Sequence, residues 1–301
     1  MTKRVLATLA TFSALSLTLA GCGSTSLSGG NPAPAGGSTS SAPAQADAAL
    51  AAKLPEKIKS SKKIVVGTDA SYAPNEFLDA DGKTVVGADV DVFNAVAAKF
   101  GVTVEWQPSS FDSIITGVQG KKYDIGVSSF TINAKRMEQV NMVSYYSAGT
   151  QWATAKGNPK QVSADNACGK TIAVQTGTVQ DEEDLPKRQE KCGANKINVL
   201  QYEGQDQATA AVVSGKADAM LADSPVVAYA AKQSQGKLET LGDIYDAAPY
   251  GIVVPKDQTE FANAIAEALK AAKADGSYEK ALQKWGTEKG KIDNFQVNPA
   301  S

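Results

Sequence analysis

Across residues 62–285, short β-branched runs alternate with stretches whose apolar residues recur at helical spacing. This alternation restricts the chain to an α/β sheet with helices on both faces. Ile64-Val65-Val66-Gly67 reads as a first strand and Val85-Val86-Gly87 as a second, short one. Residues 88–100 carry Val92, Val96 and Phe100 on one side and stop at Gly101, a good C-terminal signal. A strand at 102–106 and a helix at 110–118 follow. The pattern resumes after Trp152 with strands at 170–174, 197–200, 219–223 and 250–255. Helices are expected at an acidic start near Asp181, at 205–214 before Gly215, and at 260–274 and 278–285.

One stretch breaks a local rule. Residues 124–136 run from an apolar strand (Ile125, Val127) through Ser128 and Ser129 into a helix that Asn133 can cap. Arg136 then falls about three residues inside, where the macrodipole disfavours a cation. Arg offers a planar fork for a carboxylate, and the helix start with the hydroxyls of Ser129 and Thr131 completes an anion site. Taken alone, the stretch fits a solvated helix face better; the rest of the chain reverses that.

Composition removes whole classes of chemistry. There is no histidine, which excludes Ser-His-Asp and Cys-His catalysis, histidine-containing zinc sites and histidine switching. Three cysteines are too few for a cysteine-only zinc site, so no metal or cofactor is expected. The formal net charge is -2, and becomes -4 if Lys3 and Arg4 leave with an acid-free leader. Nucleic acid and anionic membrane surfaces are therefore poor partners. The length of 301 residues admits two domains or one large one.

The N-terminus reads as an export signal over residues 1–21, with Lys3 and Arg4 before an apolar stretch too short and too rich in Ser/Thr to span well. It ends in Leu19-Ala20-Gly21-Cys22 and there resembles a bacterial lipoprotein precursor. That resemblance implies cleavage before Cys22 and lipid on its sulfur. Residues 23–49 are Gly, Ser, Thr, Pro and Ala with almost no charge, so 22–61 is expected to be the lipidated cysteine and a flexible tether.

The folded part resembles the extracellular solute-binding proteins of the polar-amino-acid class, family 3, that serve ABC transporters. Gly87-Ala88-Asp89-Val90-Asp91-Val92 is similar to their G-F-D-V-D-L. Residues 117–124 are similar to A-L-Q-x-G-K-Y-D, and 129–136 to G-M-T-I-T-P-E-R. Residues 174–178, 217–223 and 275–285 match in order. The resemblance implies a two-lobed, type II periplasmic-binding-protein-like fold with the ligand in the cleft between lobes. Mapped here, lobe 1 is 62–146 with 251–295, lobe 2 is 151–246, and the hinge crossings are 147–150 and 247–250.

The same resemblance implies the site. Arg136 takes the ligand α-carboxylate, assisted by Thr131 and by Ser128 and Ser129. Asp223 takes the α-ammonium, and Gln175, Thr178 and the amide of Val179 close from lobe 2. Tyr72 and Phe111 wall the ligand side chain, and Asp69 meets its far end. Read singly, Phe111 fits the core better than a pocket, while Asp223 fits a turn or cap, and Asp69 a loop, as well as a site; their roles come from the matched positions together. Departures are Ala88 for an aromatic, Asn75 for an apolar residue (a more polar pocket mouth is expected), Ala134-Lys135 for Pro-Glu, and Ala222 for a polar residue.

The expected protein is a monomeric, lipid-anchored receptor on the extracellular face of the cell membrane. It would bind a polar amino acid and deliver it to an ABC permease, without being an enzyme. Two alternatives on this fold are a cyclohexadienyl-dehydratase-like enzyme, with Glu76 or Asp69 as acid, and a sensory module. A carboxylate at position 69 favours arginine or glutamine over glutamate, because like charges repel in a dry cleft. With Cys22 lipidated in an oxidising compartment, Cys168 and Cys192 are left to pair.

Overall fold

The computed structural model describes residues 46–300. The expected leader, Cys22 and the tether up to residue 45 lie outside them.

The body begins earlier than the tether reading allows. Asp47 caps a helix α1 (Ala48–Ala52), its Oδ1 accepting from the amides of Ala49 at 2.8 Å and Leu50 at 3.2 Å. A second helix α2 (Glu56–Ser61) follows. Leu50 on α1, Leu54 in the break before Pro55 and Ile58 on α2 are all buried in the first core. Residues 46–61 are thus folded rather than tether: three apolar side chains in an otherwise Ala- and Lys-rich stretch are enough to dock it on the core.

In chain order there follow β1 (Lys63–Thr68), β2 (Ser71–Tyr72), β3 (Glu76–Leu78), β4 (Val85–Val86) and α3 (Ala88–Phe100). Next come β5 (Thr103–Pro108), α4 (Phe111–Gln119), β6 (Ile125–Gly126), α5 (Ala134–Gln139) and β7 (Val140–Ala155). The second half holds β8 (Thr171–Gln175), a π-helical turn (Gln180–Asp184) running into α6 (Leu185–Glu190), β9 (Asn198–Tyr202), α7 (Gln205–Val213), β10 (Ala219–Asp223) and α8 (Ser224–Gln233). It returns along β11 (Leu238–Pro255) to α9 (Thr259–Ala274) and α10 (Ser277–Trp285).

Eight strands make one sheet in the order β5-β1-β6-β11-β7-β10-β8-β9, while β2, β3 and β4 form a small antiparallel sheet. The architecture is the two-lobed type II arrangement. Parallel strands β5, β1 and β6 belong to one lobe, and β10, β8 and β9, also parallel, to the other. The long antiparallel pair β7 and β11 runs through both. Its middle, where Ser147 pairs with Pro249 and Ala148 with Ala248, is flanked by register shifts. The last strand therefore starts at Leu238, not at Tyr250. Its first half alternates half-exposed residues and contains Gly242, so only long-range pairing with β7 reveals it. The first lobe also extends past residue 295: Val297 bridges Val143, and Phe295 lies in the core.

Cores form separately in each lobe. Phe93, Phe100, Phe261, Leu269 and Tyr278 centre the first, with Ile114, Tyr123 and Phe130 filling the other face of its sheet. Met220, Val226 and Val227 pack one face of the second lobe, and Trp152, Ile172 and Leu185 the other. Cys168 and Cys192 are joined by a disulfide in the latter region.

Candidate functional site

The rule-breaking Arg136 is where the two lobes meet. Asn133 caps α5, its Oδ1 accepting from the Arg136 amide at 2.8 Å. The guanidinium is held from both sides: Nη1 donates to the Thr131 carbonyl at 2.8 Å, and Nη2 donates to the Gly177 carbonyl of the other lobe at 3.0 Å. Phe111 and Phe130 stack on each other at 4.5 Å, and the guanidinium lies 5.4 Å from each ring centre. Arg136 is only 7% exposed and forms no ion pair among the described residues. Burial pushes its pKa down, opposed by the negative charges of Glu182 and Asp223.

Asp223 ends β10, immediately before α8, and its carboxyl faces the same cavity as Arg136. It is 5% exposed and likewise lacks an ion-pair partner among the described residues. Gln180 Nε2 donates to its Oδ1 at 2.8 Å and the Tyr250 hydroxyl to its Oδ2 at 2.7 Å. Its backbone amide donates to the Tyr72 hydroxyl at 3.2 Å. Burial raises its carboxyl pKa, and the bonds from Tyr250 and Gln180 offset only part of that.

Arg136 and Asp223 line one small cavity with Tyr72, Phe111, Ser129, Thr131, Thr178, Val179 and Gln180. It holds about 10 Å³ open to the centre of a water molecule, so the lobes are drawn together. The groove between α7 and α8 is roomier, about 290 Å³, but its lining is largely apolar. Other bonds cross the same boundary: Lys135 pairs with Glu182 at 2.6 Å, and Asn133 Nδ2 donates to Glu183 at 2.9 Å.

Eight of the eleven residues expected from the sequence line this cavity; Asp69, Ser128 and Gln175 do not. Asp69 accepts from the Ser71 amide at 2.9 Å, the Ser71 hydroxyl at 2.5 Å, the Phe111 amide at 3.1 Å and Gln175 Nε2 at 2.8 Å. The last of these crosses between lobes. Among the described residues, Gln175 Oε1 is buried without a partner, and so are the Tyr202 hydroxyl and Gln205 Oε1. All three belong to one end of the second-lobe sheet, since Gln175 pairs with Tyr202 and Gln205 opens the next helix.

Asn75 does not make the mouth more polar. It is buried beneath the floor, donating from Nδ2 to Ser129 Oγ at 2.9 Å. Glu76, one of the two acids nominated for the enzyme alternative, is also under the floor, bonded to both serine hydroxyls. Ala88 is simply core. Among the described residues no three metal-ligating side chains cluster, and no helix is long and apolar enough to cross a membrane.

Sequence reasoning missed Gln180, Tyr250 and Phe130. Gln180 follows Thr178 by two residues in the same turn, and Phe130 lies between two residues already singled out, so both were within reach. Tyr250 meets Asp223 only through the sheet.

Residues 64–288 match the bacterial extracellular solute-binding proteins, family 3. The arginine-binding protein ArgT of Corynebacterium glutamicum is 36% identical over 252 residues, covering 83% of this chain and 82% of that protein. The lysine/arginine/ornithine-binding periplasmic protein of Escherichia coli is 30% identical over 78% and 89% of the two chains. Similar solved structures include an ancestral arginine-binding protein bound to arginine, with TM-score 0.70 and 33% identity over 74% of this chain and 98% of that one. An ancestral arginine-binding protein bound to glutamine follows, with TM-score 0.69 and 32% identity over 75% and 99%. The ancestral amino acid-binding protein AncCDT-1, a precursor of cyclohexadienyl dehydratase, has TM-score 0.69 and 34% identity over 76% and 98%. The chain belongs to the bacterial extracellular solute-binding proteins, family 3.

Proposed function

We propose that this protein is a lipid-anchored receptor that closes its two lobes on a polar amino acid and hands it to an ABC permease. Arginine or glutamine is the favoured ligand. One observation carries the reading: a buried cation, Arg136, and a buried anion, Asp223, line the same cavity, each without an ion-pair partner among the described residues. Leaving such charges unpaired is costly, and a zwitterion relieves both at once. Closure then follows from a ligand that bridges the lobes, with residues 147–150 and 247–250 as the hinge.

The distal end favours donors. Asp69 is an acceptor, and Gln175 Oε1 and Gln205 Oε1 are acceptors without a partner among the described residues. A guanidinium or a terminal amide from the ligand would exchange with the Gln175 amide on Asp69 and serve these oxygens. The likeness to arginine-binding relatives, and to a structure holding glutamine, points the same way. Lipid attachment at Cys22 rests on the Leu19-Ala20-Gly21-Cys22 pattern alone.

Titration calorimetry of the soluble body against arginine, glutamine, lysine, histidine and glutamate tests the reading, with the ligand recovered and analysed afterwards. Binding of arginine or glutamine ahead of glutamate, with ligand recovered unchanged, is expected. Tighter binding of glutamate would remove Asp69 from the ligand side chain, and steady conversion of ligand would replace the receptor by an enzyme.

A further inference from the structure

Beneath the floor of the cleft two carboxyl groups are buried side by side. Glu76 on β3 is 0% exposed and Asp89 in the first turn of α3 is 3% exposed. Neither meets a lysine or arginine at ion-pair distance among the described residues. Both reach the same hydroxyl: Ser129 Oγ is 3.2 Å from Asp89 Oδ2 and 3.3 Å from Glu76 Oε2. That oxygen also accepts from Asn75 Nδ2 at 2.9 Å. Asp89 Oδ2 further accepts from the Ser129 amide at 3.0 Å and from the Tyr145 hydroxyl. On the other side, Glu76 Oε1 accepts from Ser128 Oγ at 3.2 Å, and Ser128 Oγ itself accepts from the Asp69 amide at 2.9 Å.

One hydroxyl proton cannot serve both carboxyls, so both contacts to Ser129 Oγ are hydrogen bonds only if one carboxyl carries a proton. A hydroxyl supplies one proton and accepts two. The Ser128 proton goes to Glu76 Oε1. Asp89 Oδ2 already accepts from the Ser129 amide and the Tyr145 hydroxyl, which marks Asp89 as the anion and draws the single Ser129 proton to it. Glu76 Oε2 then faces an oxygen with no proton left to give, and only a proton on Glu76 itself makes that contact a hydrogen bond. We propose that Glu76 is a positioning residue that works in its protonated form, fixing the Ser128–Ser129 turn on which the ligand rests. The turn needs such support, because Ser129 has a left-handed backbone (φ 51°), which a side chain with a Cβ adopts unwillingly. The role in ligand positioning rests on the amino-acid reading of the cleft; the proton on Glu76 does not.

The electrostatics agree. Burial raises the Glu76 carboxyl well above its usual range, and Asp89 beside it raises it further. The groups facing the pair are Asp69 just after β1, Tyr72, Tyr145 and Tyr146, Tyr250 on β11 and Tyr278 on α10. None of these is a cation. Burial keeps the tyrosines protonated and neutral, so nothing in the set favours a second anion.

Three readouts on wild type, Glu76→Gln and Glu76→Ala test the proposal. Infrared difference spectra at neutral pH should show a protonated carboxyl band in wild type that is missing in Glu76→Gln. The unfolded Glu76 loses its proton in the ordinary carboxylate range while the folded one keeps it, so wild-type stability falls as pH rises above that range. Gln has no such proton to hold, and its Tm should gain on wild type by roughly 3–5 °C per pH unit between about pH 5 and the folded pKa. Glu76→Ala should weaken arginine binding by roughly tenfold or more, and Glu76→Gln, which keeps both an acceptor for Ser128 and a donor for Ser129, should restore it. A missing band with a pH-independent Tm gap overturns the protonated state. Gln binding as weakly as Ala shows that Glu76 acts as an anion, and wild-type affinity in the Ala variant removes the positioning role. If wild type binds no amino acid, the receptor reading fails with the positioning role, while the band and the Tm slope still decide the proton.

Discussion

Arg136→Lys and Arg136→Ala separate a ligand-binding cation from a structural one. Two N–H groups of the guanidinium are used on the Thr131 and Gly177 carbonyls; the others have no protein acceptor among the described residues. Removing one partner of a desolvated charge pair costs about 2–5 kcal/mol, so Ala should weaken amino-acid binding by roughly thirtyfold to several thousandfold. Lys keeps the charge but loses the fork and the flat face against Phe111 and Phe130. Losing about one charge-assisted hydrogen bond, worth about 1.5–3 kcal/mol, sets the Lys variant at roughly tenfold to a hundredfold weaker. The ligand-free protein should respond differently. A buried cation with no counterion contributes little net stability, so ligand-free Tm should move by no more than about 3 °C in either variant. Calorimetric Kd and ligand-free Tm on the same preparations decide the matter. Wild-type affinity in the Lys variant, or a Tm loss that accounts for all of the lost affinity, refutes the reasoning.

Reducing the Cys168–Cys192 disulfide, which closes a separation of 24 residues, should destabilise the fold by about 3.5 kcal/mol at most in the chain-entropy account, read as a shift in urea midpoint with and without reductant. Ile58→Ala should cost about 2–5 kcal/mol in a urea melt because Ile58 is buried in the first core; an unchanged midpoint would return residues 48–61 to the tether. Asp223 has a raised carboxyl pKa, so ligand-free protein keeps its proton somewhat above the ordinary aspartate range and its stability falls as pH rises through that window. An ammonium group needs the anion, so amino-acid affinity should fall on acidification before an ordinary aspartate would titrate. Asp223→Asn should bind weakly at neutral pH and lack that acidic limb.

What was legible in the sequence was whatever depends on neighbours along the chain. Arg136 stood out because a cation early in a helix opposes the macrodipole, and Asn133 announced the helix start; both are where the sequence puts them. Strands β1, β8 and β10 declared themselves as compact apolar runs. The first half of β11 did not, because its residues are half exposed and its order comes from β7, about ninety residues away in the chain. Helices α1 and α2 were hidden by the composition of the tail before them. The polar convergences were least legible. Tyr250 on Asp223, and Glu76 with Asp89 under Ser129, join residues that share no local pattern and meet only when the sheet has formed.

The central claim is that Arg136 and Asp223 together hold the two charged ends of one amino acid. Calorimetry with arginine, with its decarboxylated analogue agmatine, and with the analogue lacking the α-amino group tests it most directly. Removing either charged group strands a buried partner, so each analogue should bind weaker than arginine by about thirtyfold or more, with Arg136→Ala erasing the arginine–agmatine difference. Agmatine binding as tightly as arginine would contradict the account.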